Sequence, residues 1–228
     1  MNNIKTSFIP GLCLLIFIGG ANVKQALNRL DSSVDNAQNV VIQANLAEEL
    51  QSGDLIFQTS RSSQSIAVQL ATKSTYSHCG IIYKEGAKFY VFEAIQPVKR
   101  TPLKQWIARG QGGKYVVKRL KNAAEVLTPA VLQKMKQVGD GFKGKNYDLT
   151  FEWSDDRIYC SELIWKVYQR ATGLEIGKLS TLSSFDLSND VVKKKMKERY
   201  GDQIPMNETV ISPAAVFDSE LLITVKSN

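Results

Sequence analysis

The residues best suited to chemistry in this sequence are a cysteine and a histidine. The 228-residue chain contains three cysteines and one histidine, His78. Any reaction that needs an imidazole must therefore use His78, and a metal site with two or more histidines is excluded. A thiol nucleophile needs a lowered pKa, a base that holds its proton and a group that orients the base.

Cys160 has the sequence context of such a nucleophile. The spacing predicts a helix from about Tyr159 to Thr172 that ends at Gly173, with Asp155 or Asp156 as its N-cap. In the first turn, free N–H groups and the helix dipole favour a thiolate. Cys160 faces the core of the protein because it shares one helix face with four apolar residues, Leu163, Ile164, Val167 and Ala171.

Glu93 is the candidate partner of the histidine. Residues 79–83 and 89–94 predict two strands of a hairpin, joined by a loop at 84–87 that contains a glycine. If His78 and Glu93 face the same side, the carboxylate can fix the tautomer of the imidazole and stabilise the imidazolium. The hairpin register does not follow from the sequence, so this contact is a hypothesis.

Strand alternation bears on the other thiol, Cys79. His78 and Cys79 are neighbours on a strand, so they point to opposite faces. If His78 faces the site, Cys79 faces away, and a disulfide with Cys160 would be awkward. Each residue also has a structural interpretation, since a helix cysteine is most often a small buried hydrophobe. The residue pattern alone therefore yields a candidate site and not a conclusion.

The remaining elements favour an antiparallel sheet. Strands outnumber crossover helices and cluster around hairpins, which is typical of an α+β fold. Ser65 is expected to cap a helix with Ile66, Ala67 and Leu70 on its inner face. The other expected elements are strands at 55–57, 115–120 and 221–225, helices that begin near Pro102, Thr128 and Ser212, and a basic helix over 190–200.

The N-terminus resembles a signal peptide. Lys5 precedes an apolar run, Phe8–Ile18, which is followed by the small residues Gly19 and Ala21. The run is too short for a comfortable membrane span, although an N-terminal anchor is the alternative. This pattern predicts export to the periplasm or the cell exterior, and Cys13 would leave with the signal.

Composition bounds the function further. The apolar share of 43% and charged share of 22% are ordinary for a globular domain. The net charge of +7 is spread along the chain, which favours solvated faces over a nucleic-acid surface. A basic cluster at 193–199 suggests peripheral contact with an anionic envelope surface.

We expect a signal peptide at 1–21, a linker or pre-helix at 22–50 and one domain at 51–228; the oligomeric state stays open.

Four blocks occur in chain order: Ser52-Gly53-Asp54-Leu55-Ile56-Phe57, Tyr76-Ser77-His78-Cys79-Gly80-Ile81-Ile82-Tyr83, Val91-Phe92-Glu93-Ala94 and Tyr159-Cys160-Ser161-Glu162-Leu163-Ile164-Trp165. Together they resemble the YiiX/YaeF-like permuted papain-fold cysteine amidases. These are relatives of the NlpC-type cell-wall peptidases, with the histidine strand ahead of the cysteine helix. The resemblance covers about 52–225, and Asn146-Tyr147-Asp148 and Ser212-Pro213-Ala214 also fit it.

The resemblance implies a circularly permuted papain-like (NlpC-type) α+β fold, with an antiparallel sheet packed against the helix that bears the cysteine. It implies Cys160 as nucleophile, His78 as general base and then acid, and Glu93 as the group that orients His78. Tyr159, or a backbone N–H near Cys160, would support the oxyanion. No cofactor or metal is expected. Cys79 departs from the family pattern, where a small aliphatic residue is more usual.

The substrate is the least determined part of this interpretation. An exported amidase would act on an envelope substrate, either a cell-wall peptide or an acyl-amide. Apolar residues near the site, Phe151, Trp153 and Ile158, suit an acyl chain or belong to the core. The 177–211 stretch matches no motif and is expected to shape the substrate groove. The alternatives are a non-catalytic module that binds envelope peptide or lipid on the same fold, and an acyltransferase.

Overall fold

The computed structural model describes residues 49–228, together with 24–25 and 28–29. The predicted signal peptide and nearly all of the predicted linker lie outside the described residues. The chain divides between residues 45 and 46, and the fold below belongs to the second part. Within the described residues, no helix has the length and apolar character needed to cross a membrane.

Six strands form an antiparallel sheet in the order β10-β5-β1-β2-β3-β4. Two short pairs, β6–β7 and β8–β9, lie outside it. The strands are β1 Leu55–Gln58, β2 His78–Glu85, β3 Lys88–Glu93, β4 Lys99–Pro102, β5 Val116–Leu120, β6 Asn146–Tyr147, β7 Arg157–Ile158, β8 Ser180–Thr181, β9 Thr209–Val210 and β10 Leu222–Ser227.

Helices lie between these strands along the chain. The α-helices are α1 Ser63–Thr72, α2 Leu103–Arg109, α3 Ala123–Val126, α4 Pro129–Asp140, α5 Cys160–Thr172, α6 Asp190–Tyr200 and α7 Pro213–Phe217. Two 3-10 turns occupy Gln111–Gly113 and Leu182–Ser184. Helices α4 and α7 begin where the sequence predicts, and the side chains of Thr128 and Ser212 cap them by accepting backbone N–H bonds.

The central sheet buries both of its faces, because alternate residues of each strand point to opposite sides. On β1, Phe57 packs with Leu163 and Ile164 of α5, whereas Ile56 packs with Trp106 of α2. The helix that carries Cys160 therefore lies on one face of the sheet and α2 lies on the other. This arrangement confirms the predicted antiparallel α+β fold.

A separate apolar cluster joins α1 to the later part of the chain. It contains Ala67 of α1, Leu182, and Val192 and Met196 of α6. The stretch from 177 to 211, which matched no motif, thus packs against α1. This places a layer of side chains beside the N-terminal end of α5, where the candidate nucleophile lies.

Helix α1 differs from its prediction in its cap and its inner face. Its N-cap is Ser62, and Ser65 lies buried within the helix beside Ala67. Ile66 and Leu70 are 57% and 37% exposed, so the predicted apolar inner face was wrong. The reason is that Ser65 bonds the buried Ser77 hydroxyl, which turns a polar side of the helix inward.

Candidate active site

Cys160 is the first residue of α5 and is almost fully buried. The N-cap is Tyr159, whose N–H donates to Glu162 Oε2 at 3.4 Å. The predicted caps, Asp155 and Asp156, were therefore wrong. The Asp155 carboxylate instead accepts hydrogen bonds from Lys166 and from Arg170. Cys160 thus has the predicted place in the first helical turn, where unpaired N–H groups favour a negative sulfur.

The residues on either side of Cys160 are fixed by one backbone position, Ile211. The Ile211 N–H donates to the Tyr159 hydroxyl at 3.0 Å. The Ser161 hydroxyl donates to the Ile211 carbonyl oxygen at 2.8 Å. These buried bonds tie the start of α5 to the segment that follows β9, which limits movement of the thiol between them.

His78 and Glu93 are brought together by the hairpin of β2 and β3. His78 begins β2 and Glu93 ends β3, and the two side chains meet with Nε2 and Oε2 at 2.7 Å. The His78 ring also stacks on Trp106 of α2, with centroids 5.8 Å apart and planes inclined by 24°. Because Nε2 is taken by Glu93, the other ring nitrogen is the one available to the Cys160 thiol.

The Glu93 carboxylate is fully buried and is bonded on both oxygens. Its second oxygen, Oε1, accepts from the Thr101 hydroxyl at 2.5 Å and from the guanidinium of Arg109. A buried carboxylate is tolerated when such partners offset its desolvation. Glu93 is therefore held in one orientation towards His78.

The start of β2 is held by hydroxyl groups next to His78. The Ser77 hydroxyl lies 2.6 Å from that of Ser65 in α1 and accepts from the Ser60 N–H at 2.9 Å. The strand thus begins at a fixed point against α1. This bonding helps to position the backbone of the adjacent histidine.

The electrostatics favour a charged histidine. Burial opposes this charge, but hydrogen bonds with Cys160 and with Glu93 raise the pKa of His78 from 6.5 to about 9. Burial also opposes ionisation of Glu93, yet the His78 ring, Thr101 and Arg109 lower the pKa of that carboxyl. The carboxylate and the imidazolium therefore stabilise each other.

The side chain of Cys79 does not point away from Cys160, so the prediction from strand alternation was wrong on this point. Cys79 and Cys160 belong to the same core cluster, and both thiols are free. The alternation itself holds, since His78 stacks on α2 while Cys79 faces α5. The error was to infer that only one of these neighbours could reach the nucleophile, because Cys160 contacts both the His78 ring and the Cys79 side chain.

Cys79 makes the thiol of the candidate nucleophile, Cys160, more acidic. A hydrogen bond with the Cys79 side chain is the largest influence that lowers the pKa of the Cys160 thiol. Burial acts against it, and the His78 ring and the Cys79 backbone lower it further. Burial and the same contact raise the pKa of Cys79. The two thiols thus have different roles, with Cys79 as donor and Cys160 as thiolate.

Replacing Cys79 by alanine is expected to raise the pKa of the Cys160 thiol, because the alanine removes the strongest donor to its sulfur. Ultraviolet thiolate absorbance followed against pH measures this change. Cys79→Ser is the matched control, since it keeps a donor of similar size and should retain more of the lowered pKa. An unchanged titration in Cys79→Ala would contradict the assigned contact.

Two cavities open at the site. The first, which we call the apolar cavity, contains Cys160 and has a volume of about 90 Å³. The second, which we call the polar groove, contains His78. Three residues, Gln64, Ser77 and Tyr147, line both. The candidate nucleophile and the candidate base therefore lie at the junction of two spaces.

The predicted apolar neighbours of the site fall into two groups. Phe151 lines the apolar cavity and packs edge-on against Tyr159 at 5.1 Å. Trp153 instead packs on Trp165, and Ile158 is fully buried in the core. Residues of the 177–211 stretch also line the cavity, among them Leu182 and Met196.

Several residues at the site were missed by the sequence reasoning. Thr101 and Arg109 hold Glu93, and neither has a local sequence signal, because the strand β4 and the end of α2 supply them. Tyr147 lies in the turn that fits the family pattern, but the pattern gives no reason for its place at the cavity. There its hydroxyl accepts from Gln64 Nε2 at 3.3 Å, and burial raises its pKa.

The strand that begins with His78 belongs to the antiparallel sheet. The helix that begins with Cys160 packs on this sheet and comes later in the chain. This order of histidine strand and cysteine helix defines a circularly permuted papain-like fold. A family model described as "Permuted papain-like amidase enzyme, YaeF/YiiX, C92 family" matches residues 49–226. The chain belongs to this family, which confirms the resemblance found in the sequence. Membership supports a hydrolase of the amidase type.

Two comparisons with the YiiX protein agree with this assignment. The chain is 55% identical over 175 residues to the uncharacterized protein YiiX of Escherichia coli strain K12, covering 77% of this chain and 85% of that one. The crystal structure of YiiX from Escherichia coli O157:H7 matches with a TM-score of 0.76 and 55% identity, covering 79% of this chain and 98% of that one.

The YiiX crystal structure is described as that of a metalloprotein. In the part of this chain that the structure describes, no group of three or more His, Cys, Asp or Glu residues is arranged to hold a metal ion. At the candidate site, the Nε2 atom of His78 is already bonded to Glu93. These residues therefore do not supply the donor set that a bound metal needs.

Proposed function

We propose that this protein is a cysteine amidase in which Cys160, His78 and Glu93 form the catalytic triad. The observation that carries the proposal is the buried His78–Glu93 bond beside a thiol in the first turn of α5. Cys160 is the nucleophile, His78 moves the proton and Glu93 orients and charges the imidazole.

The proposed reaction has two halves. The Cys160 thiolate attacks the amide carbonyl, the C–N bond breaks, and the amine leaves with a proton from His78. Water then attacks the acyl-enzyme and gives a proton to His78, and the carboxylic acid leaves as the C–S bond breaks. We assign the oxyanion to N–H groups at the start of α5. Tyr159 supports them indirectly, because its hydroxyl holds Ile211 beside the cavity.

The geometry favours catalysis over a module that only binds envelope peptide or lipid. In such a module, Glu93 has no need to contact the histidine and can face solvent. Here the carboxylate is fully buried, and three side chains bond to it. Burying and pairing a carboxylate against the only imidazole of the chain is a costly arrangement that suits an acid–base role.

The proposal includes the cellular setting predicted from the sequence. Residues 1–21 direct export, 22–50 link the signal to the domain at 51–228, and the substrate is an amide of the cell envelope. Peripheral contact with an anionic envelope surface uses the basic helix α6, in which Lys193 and Lys197 are largely exposed.

Alkylation by iodoacetamide tests the proposed nucleophile. Cys160 is expected to react near its maximal rate at pH 6, where an ordinary thiol of pKa about 8.5 is less than about 1% ionised. Peptide mass spectrometry locates the label. Cys79 is the internal control and should stay unlabelled, because its pKa is raised. Labelling of Cys160 that appears only above pH 8 would contradict an activated thiolate.

A further inference from the structure

A second thiol, that of Cys79, lies against the candidate nucleophile. The Cys160 sulfur accepts hydrogen bonds from both the side chain and the backbone N–H of Cys79. Both residues belong to one core cluster, and neither thiol is in a disulfide. The proposed reaction uses Cys160, His78 and Glu93 alone, and a serine could supply the same hydrogen bond. A thiol at this position therefore points to sulfur chemistry.

The two thiols differ in how readily they are oxidised. The thiolate is the form that reacts with hydroperoxides, and Cys160 is the thiol whose ionisation the site favours. Cys160 also lines the apolar cavity, through which a small oxidant reaches its sulfur. Cys79 is fully buried, is not part of the cavity wall, and keeps its proton. Oxidation therefore begins at Cys160.

The first step is attack of the Cys160 thiolate on one oxygen of a hydroperoxide. The S–O bond forms as the O–O bond breaks, so the sulfur is oxidised to a sulfenic acid and the peroxide is reduced. The leaving oxygen takes a proton from the His78 imidazolium, which becomes neutral. Hydrogen peroxide leaves as water, and an organic hydroperoxide leaves as an alcohol.

The second step joins the two cysteines. The Cys79 sulfur attacks the Cys160 sulfur, the S–S bond forms and the S–O bond breaks. The leaving hydroxyl group takes the Cys79 proton and departs as water. Both sulfur atoms end in one disulfide, and one hydroperoxide has been consumed.

The geometry favours this closure over further oxidation. Cys79 lies on β2 and Cys160 begins α5, so the two sulfurs meet where the helix packs on the sheet. Hydrogen bonds to Ile211 hold the start of α5 in place, which maintains this contact. A thiol that already touches the oxidised sulfur reacts as an intramolecular partner, whereas a second peroxide must arrive from solution. The objection from strand alternation does not apply, because Cys79 faces α5.

We propose that Cys79 is a resolving cysteine, which traps peroxide-oxidised Cys160 as an intramolecular disulfide that added thiols reduce. The disulfide inactivates the enzyme reversibly and shields the nucleophile from conversion to sulfinic and sulfonic acids, which thiols do not reduce. The proposed export places the protein in an oxidising compartment, where such protection has a use. This inference goes beyond the amidase reaction and is independent of the substrate.

Treatment with excess hydrogen peroxide, followed by mass spectrometry, tests the proposal. The full chain carries Cys13→Ala, which leaves Cys79 and Cys160 as its only cysteines. Its intact mass is expected to fall by two hydrogen atoms, and digestion without reductant should yield a peptide pair that joins the two cysteines. After dithiothreitol, alkylation of the unfolded protein should recover about nine-tenths of both thiols.

Cys79→Ser in the same chain separates the resolving role from the hydrogen bond, because serine keeps a donor to Cys160 and cannot form a disulfide. After the same treatment, its Cys160 is expected to gain two or three oxygen atoms. Dithiothreitol should then recover less than about a tenth of that thiol. Cys160→Ala is the matched control, in which the remaining Cys79 should stay reduced. Thermal melting checks that both variants are folded.

Three results would overturn the proposal. The first is a parent chain whose Cys160 gains two or three oxygen atoms without forming a disulfide. The second is a folded Cys79→Ser protein that recovers its Cys160 thiol as fully as the parent chain does. The third is a disulfide that joins two chains, seen as a dimer on a non-reducing gel. If Cys79→Ser does not fold, the intact mass and the joined peptides of the parent chain decide. These measurements follow sulfur alone, so the proposed amidase function is judged separately, by hydrolysis.

Discussion

Replacing Cys160 by alanine is expected to reduce kcat/KM for amide hydrolysis by about ten-thousand-fold or more, with the fold intact. The nucleophile and its base act as a unit, so loss of the sulfur removes the covalent route altogether. The remaining activity would be only what substrate binding and the hydrogen-bond donors to the oxyanion provide without the covalent step. The measurement compares initial rates of wild type and variant on acyl-amides and on short peptide amides.

The chain offers a close control for this variant. Cys79→Ala removes a neighbouring buried thiol and the donor to Cys160, but it leaves nucleophile, base and carboxylate in place. Its loss is expected to be far smaller and to shrink at higher pH, where the less acidic Cys160 ionises anyway. Full activity of Cys160→Ala, or equal losses in the two variants, would contradict the assignment of Cys160 as nucleophile.

The sequence was sufficient for the parts of the site that follow local rules. The helical spacing after Cys160 predicted both the helix and the buried thiol in its first turn. The hairpin pattern predicted strands that end near His78 and Glu93, and the structure joins those two side chains. The register of the hairpin could not be predicted from the sequence. The turn between the strands is also tighter than predicted, because β2 continues to Glu85 and β3 begins at Lys88.

The errors come from contacts that are distant in sequence. Strand alternation placed Cys79 correctly on the face opposite His78, but no local rule says which face α5 covers. Likewise, the apolar spacing of Ile66 and Leu70 was outweighed by the Ser65–Ser77 hydroxyl contact, which forms between residues of different elements. The strand β4, which supplies Thr101, carries charged residues and a proline instead of a strand pattern.

Replacing Glu93 by glutamine is expected to lower kcat by about 100-fold or more and to change the pH profile in a defined direction. Glutamine keeps the size of the side chain but loses the charge that stabilises the imidazolium. The pKa of His78, raised to about 9 by its hydrogen bonds to Cys160 and Glu93, should therefore fall. Because the leaving amine takes its proton from His78, activity is lost as pH rises through that pKa, and the alkaline limb should move to lower pH.

The direction of this shift separates a positioning role from a structural one. A variant that is merely less stable loses activity without moving the alkaline limb, whereas loss of the Glu93 charge makes the deficit grow as pH rises from 6 towards 9. Glu125→Gln, on the exposed surface of α3, is the matched control and should keep the wild-type profile. An alkaline limb that stays near pH 9 in Glu93→Gln would mean that Glu93 does not hold the charge on His78, and the triad would reduce to a Cys160–His78 pair.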